Sequence, residues 1–210
     1  MLSILLPRFG SAFAIWRRNG LVWRRLMGPS LFINFGEPFL YLLGLGYGLG
    51  LFIGEMMNMP YMTFLASGIL ASSAMNIASF EAMFSVYTRM VPQSTYEAIL
   101  ATPVEVQDIL AGELLWCGTK SLINGGAVLA VAAVLGAVHS LAALWVLPVL
   151  FLTGLCFGAM ALIMTAYARG YDFFNYYVTL VLTPMFMLSG VFYPVSSLPA
   201  ALQGFVQLLP

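Results

Sequence analysis

Charge is what this 210-residue chain has least of: Lys, Arg, Asp and Glu together make up 8% of it, against about 25% in an ordinary soluble domain. Histidine occurs once, at His139, and cysteine twice, at Cys117 and Cys156. From so small a stock no metal cluster, no Ser-His-Asp set and no pair of soluble carboxylates can be assembled, so neither a resident metal nor a catalytic site is expected. Both cysteines lie inside apolar runs and read as small buried hydrophobes, not as a disulfide or ligand pair. His139 stands alone in a turn and reads as no ligand. A cleavable leader is not expected either: the apolar start, residues 1–6, is too short for an h-region and is stopped by Pro7-Arg8. No nucleic-acid partner is expected.

What is present is apolar surface. Residues of the hydrophobic class form 61% of the chain. A hydrocarbon core of about 30 Å takes roughly 20 helical residues per span, which leaves room for five or six spans and little else. The fold class expected is an all-α membrane protein, one transmembrane domain over residues 1–210. The eight bases are Arg8, Arg17, Arg18, Arg24, Arg25, Arg89, Lys120 and Arg169, each at or near one end of an apolar segment. All fall on one side of the implied bilayer, and positive charge is retained inside, so the N-terminus is expected in the cytoplasm.

Residues 5–27 have helical periodicity without transmembrane character. Leu5, Phe9, Ala12, Trp16, Trp23 and Met27 share a stripe, with Arg17, Arg18, Arg24 and Arg25 on the opposite flank. Such a helix lies in the interface, anchored by Trp16 and Trp23 and by the four arginines. Spans are expected at about 29–53, 61–86, 114–138, 141–167 and 173–188. The first carries the small-residue pairs Gly44/Gly48 and Gly46/Gly50, a face that permits close helix approach in lipid. Residues 55–60 form an outer turn. The fifth span contains Thr183-Pro184 and stops at Ser189-Gly190. Residues 189–210, with a helix at 200–209 too short to span, read as an outer re-entrant helix pair. Five spans would place residue 210 outside, so a sixth span is expected to be missing from this sequence.

The longest polar stretch is the inner loop 87–113. It holds one base, Arg89, against four acids, Glu97, Glu105, Asp108 and Glu113, a net charge of −3. Ser94 or Thr95 is expected to cap a short helix over 96–101, with Glu97 in its first turn and Pro103 ending it. A short amphipathic helix held between two spans reads as a docking element. Glu37, followed by Pro38, lies about two turns into the first span, where a charge costs roughly 2.5–3.5 kcal/mol. A structural hydrogen bond and a conduit role are both open for it. Glu81 and Lys120, near inner span ends, read as side chains that reach back to the interface. Five aromatics, Tyr171, Phe173, Phe174, Tyr176 and Tyr177, read as an interfacial belt.

One motif is a near-miss. The run from Gly112 to Ser121 resembles a phosphate-binding loop, but five residues separate Gly112 from Gly118 and Thr119 precedes Lys120. It also opens a membrane span and follows no strand. The chain is therefore not expected to hydrolyse ATP itself.

Several segments together carry a resemblance. Leu6-Pro7-Arg8-Phe9-Gly10, Trp16-Arg17-Arg18-Asn19, the Gly44–Gly50 run, Thr95-Tyr96-Glu97-Ala98-Ile99-Leu100 and Ser189-Gly190-Val191-Phe192-Tyr193-Pro194 resemble the ABC-2 type permeases. Within that family the chain looks most like the nodulation-type lipo-oligosaccharide export permeases. The resemblance implies a half-transporter with two permease copies and two separate ATPase subunits, ATP and Mg being bound by the ATPase and no cofactor by this chain. It places the ATPase contact on Thr95, Tyr96, Glu97, Ile99 and Leu100. Candidate conduit or gating residues are Glu37, Pro38, Ser189, Gly190, Tyr193 and Pro194. An exporter of drugs or other small amphiphiles and a stand-alone secondary transporter remain open as alternatives.

Overall fold

The structure is a computed structural model, and it describes residues 7–25, 27–28, 36, 38–138, 140–199, 203–204 and 206. Helix α1 (Phe9–Arg25) is followed by α2 (Pro38–Ile53), a two-residue hairpin β1/β2 (Glu55–Met56 with Met59–Pro60) and the long helix α3 (Tyr61–Met90). Then come the short α4 (Thr95–Leu100), the 29-residue α5 (Val106–Val134), α6 (Leu141–Tyr167) and α7 over residues 172–188. Among the described residues α3, α5 and α6 are long and apolar enough to cross a membrane, and α2 is a shorter apolar helix.

The second, third and fourth expected spans coincide with α3, α5 and α6, with shifted ends. α3 runs on to Met90 and α5 starts at Val106, so the inner loop shrinks to residues 91–105. Residues 87–90 and 106–113, polar in sequence, are helical. What opens α5 is a reciprocal cap: the Glu105 and Asp108 side chains each serve the other's backbone. The cap expected on α4 is not formed. Ser94 takes left-handed torsions (φ 46°) and makes no capping bond, while Thr95 Oγ1 donates to Gln93 Oε1 at 3.4 Å.

Core packing falls into two clusters. One gathers Leu42, Tyr61, Leu65, Ile69, Val128 and Leu150; the other gathers Met75, Met83, Cys117, Phe157, Phe174 and Leu182. Cys117 is buried as expected, but Cys156 is exposed. Close helix approach uses the expected glycines only in part. A Cβ on Gly46 of α2 would run into the Met62 side chain of α3, and Gly50 lies against Tyr61, whereas Gly44 and Gly48 have open space where a Cβ would stand. Further close approaches lie elsewhere: a Cβ on Gly154 of α6 would lie 2.5 Å from Ser121 Oγ of α5, and one on Gly112 of α5 would lie 2.6 Å from Ile15 Cβ of α1. Small-residue seams thus include α2/α3, α5/α6 and α1/α5.

α1 runs alongside the first half of α5. Its buried side chains are Ala12, Ile15 and Asn19, while Phe9 is 83% exposed. The inward stripe is therefore rotated from the one expected, because a polar residue, Asn19, is the one that turns inward. Three wide, π-type turns interrupt the apolar helices, at Leu42–Tyr47, Glu81–Ser85 and Val178–Leu182. The last of these precedes Thr183-Pro184, so the proline opens a fresh helical segment and its missing N–H removes no ordinary helix bond. α7 ends at Leu188 as expected, with Gly190 in the positive-φ region (83°). Of the belt aromatics, Tyr176 is exposed, but Phe174 and Tyr177 are core residues. The helix expected at 200–209 lies mostly outside the described residues, and Glu37 and His139 lie wholly outside them.

Candidate functional site

Two neighbouring helices each carry an acid and a base about two turns apart: Glu81 and Arg89 on α3, Glu113 and Lys120 on α5. Because the helices run in opposite directions, the base of one meets the acid of the other. Arg89 Nη2 lies 2.7 Å from Glu113 Oε2 and 3.2 Å from Glu81 Oε1, and Lys120 Nζ lies 3.5 Å from Glu81 Oε2. Glu113 is fully buried, and Glu81 and Lys120 are buried beside it. Glu81 and Lys120, expected to reach back to the interface, each have a counter-charge inside the protein.

Ions taken out of water cost several kcal/mol each, and their attraction offsets this only if the remaining lone pairs are filled. Here they are filled from three elements. Tyr96 of α4 donates its hydroxyl to Glu113 Oε1 at 2.7 Å, and Asn19 of α1 donates Nδ2–H to Glu113 Oε2 at 2.9 Å. Trp116 of α5 donates its indole N–H to Glu81 Oε1 at 3.1 Å. Lys120 Nζ sits 5.6 Å from the Trp23 ring centre, a cation–π arrangement. The Tyr96 hydroxyl also lies 3.5 Å from Arg89 Nε. Burial pushes the Tyr96 phenol above its ordinary value and the Glu113 charge adds to the rise, so the phenol keeps its proton and remains a donor.

A second fastening sits next to this cluster. Asp108, fully buried, accepts the backbone N–H of Arg8 at 2.6 Å and that of Glu105 at 3.1 Å. The Arg8 guanidinium lies 3.4 Å from Glu105 Oε1. The chain ahead of α1 and the start of α5 are held together there.

The expected loop contact is split by this geometry. Tyr96 does not face outward: its hydroxyl is committed to Glu113. Glu97 and Leu100 are exposed, whereas Thr95 and Ile99 are half-buried. In the anchor set, Arg17, Arg24 and Arg25 are exposed, Arg18 donates to Asn19 Oδ1 at 3.2 Å, and Trp23 packs edge-on against Trp116 at 6.2 Å. Trp16 donates to Thr119 Oγ1 at 2.8 Å, so the anchor helix is bonded to α5 as well as amphipathic. In the conduit set, Pro38 is buried and lines a cavity of about 500 Å³ between α2, α3, α5 and α7. Ser189 is exposed, and Tyr193 donates its hydroxyl to Met187 O at 2.7 Å. Gly190 and Pro194 shape the turn after α7, where Val191 packs onto Gly68 of α3. Sequence reasoning missed the Arg89–Glu113 pairing and Asn19. The signal was available, since both helices present acid and base two turns apart.

The family model of the ABC-2 type transporter matches residues 11–210. The chain is a member of the ABC-2 type transporter family. It is 44% identical over 197 residues to Nodulation protein J of Rhizobium meliloti (strain 1021), covering 94% of this chain and 75% of that protein. To Nodulation protein J of Bradyrhizobium diazoefficiens it is 43% identical with the same coverage. To the inner membrane transport permease YadH of Escherichia coli (strain K12) it is 29% identical, over 94% of this chain and 77% of that protein. No solved structure matches the chain. This ABC-2 permease is thus a multi-pass membrane protein and a transport subunit, not an enzyme, and its family normally works with an ATPase subunit.

Proposed function

We propose that the chain is the membrane-spanning subunit of an ATP-driven exporter in the bacterial inner membrane. In this reading two permease copies pair with two ATPase subunits that bind ATP and Mg, and the cargo is a lipo-oligosaccharide or similar amphiphile. The similarity to the Nodulation J proteins supports the cargo class. The observation that carries the mechanism is Glu113: one buried carboxylate on α5 accepts bonds from α1, α3 and α4. A short helix that only bridged two spans would need no such bond.

The outward side of α4, with Glu97 and Leu100, is the proposed ATPase contact. A displacement of α4 by the ATPase pulls on Tyr96, hence on Glu113 and Arg89, and so reaches α5 and α3 together. Packed, hydrogen-bonded elements of this kind move as units between discrete arrangements. Docking and transmission are therefore different residues on one short helix.

Copurification of the ATPase and ATP-driven uptake of a labelled amphiphile into inverted vesicles separate the two roles. Leu100→Asp combined with Glu97→Lys is expected to strip the ATPase from the permease, since an apolar anchor contributes most of an interface's affinity and a rim charge tunes encounter. Tyr96→Phe is expected to retain the ATPase but lower uptake per ATP hydrolysed. Full ATPase recovery with the double variant would sink the docking assignment, and unchanged coupling with Tyr96→Phe would sink the transmission path.

A further inference from the structure

The cavity beside Pro38 has a composition that its apolar surroundings do not require. Aliphatic hydroxyl and amide side chains line it: Ser72, Ser73 and Asn76 from α3, Asn124 from α5 and Thr183 from α7. No charged side chain lines it among the described residues. Asn124 is only 5% exposed, and its amide oxygen has no hydrogen-bond partner among the described residues. A buried amide oxygen left unpaired costs about 1–3 kcal/mol, so such groups are normally satisfied by something. Ser72 and Ser73 spend their protons on the carbonyls of Ile69 and Leu70, which leaves their oxygens as acceptors. Tyr41 and Phe186 add ring faces at the same wall. The volume, about 500 Å³, falls within the roughly 300–1,000 Å³ of small-molecule sites.

We infer that this cavity binds an uncharged, hydroxyl-bearing head group, a glycosyl unit of the carried amphiphile, with Asn124 and Asn76 as its principal hydrogen-bonding residues. The inference rests on the export reading for its cargo and on the cavity for its chemistry. Hydroxyl protons of a sugar satisfy the Asn124 oxygen and the serine lone pairs, and its C–H faces pack on the aromatic wall. An ammonium or sulfate head would meet no counter-charge among the described lining residues, and its desolvation would go uncompensated.

The test uses the purified full chain in lipid nanodiscs without any ATPase, so its outcome does not depend on transport. In a Cys117→Ala, Cys156→Ala background, Ser73→Cys reports the cavity through its rate of maleimide labelling. Octyl glucoside, octyl trimethylammonium and octyl sulfate are compared at equal membrane-bound amounts and below micelle formation. Octyl glucoside is expected to protect the thiol, and the two charged probes are expected to protect several-fold less. Adding Asn124→Leu, or Asn76→Leu as the less buried alternative should Asn124→Leu fold poorly, is expected to weaken protection by about threefold to tenfold, the worth of one or two neutral hydrogen bonds. Equal protection by all three probes, better protection by the ammonium probe, or unchanged protection in both leucine variants overturns the site. ATP-driven uptake decides the export reading separately.

Discussion

Glu113 gathers bonds from Asn19, Arg89 and Tyr96 onto one buried carboxylate. Removing one partner of a buried ion pair leaves the other uncompensated, at a cost of about 3–5 kcal/mol. Glu113→Gln is therefore expected to lower stability by that order, measured as unfolding of the purified chain in detergent. The double variant Glu113→Gln, Arg89→Gln is expected to recover part of the loss, because the stranded guanidinium goes with its partner. Strict additivity of the two single changes would show that the pair is not coupled. The four charges were all visible in sequence, but each was read alone. A residue-by-residue scan assigns Glu81 and Lys120 to the interface by depth, whereas packing assigns them to each other at 3.5 Å. Tyr96 was legible as a special residue of α4, yet its direction was not, since a six-residue helix has too little periodicity to reveal which side faces the protein.

At the level of elements, the helices of the apolar core follow from composition and length, and their seams do not. Glycine is common in membrane helices, so Gly44 and Gly48 carry the same local signal as Gly46, Gly112 and Gly154. Only the fold separates the first two, which stand in open space, from the other three, which are packed against a neighbouring helix. Gly112→Val is expected to push α1 away from α5, because its Cβ would need the space of Ile15 and the Ala12 carbonyl. Overpacking of this kind costs about 1–3 kcal/mol or more, and the bonds of Asn19 to Glu113 and Trp16 to Thr119 would lengthen with it. Gly44→Ala meets nothing within 4 Å and is expected to leave the melting temperature of the single chain unchanged. A comparison of the two variants by thermal unfolding checks the assignment; equal losses would contradict it. The wide turn Glu81–Ser85 was likewise invisible in sequence, because a π-type turn has no residue signature of its own. It falls where Glu81 must face both Lys120 and Trp116 while Arg89 faces Glu113 on the next helix.

For the whole molecule, the gathering of bases at one end predicts its placement in the bilayer. Arg8, the arginines of α1, Arg89 and Arg169 share the end that carries α4, and that end is expected in the cytoplasm. Arg8→Cys and Ser140→Cys, each in the background lacking Cys117 and Cys156, separate the two faces. An impermeant maleimide applied to intact cells is expected to label position 140 and spare position 8, and the reverse pattern would invert the topology. The exposed bases and the buried ones then play different parts. Arg17, Arg24 and Arg25 are expected to set which way the chain sits, while Arg89 and Lys120 are cancelled by Glu81 and Glu113. That cancellation has an electrical consequence. One unpaired charge carried through the full membrane potential involves about 2.3 kcal/mol per 100 mV. A quartet that sums to zero and moves as a unit does no such work, so the proposed motion linking α4 to α3 and α5 is expected to proceed at the same rate in an energised cell and in a depolarised one.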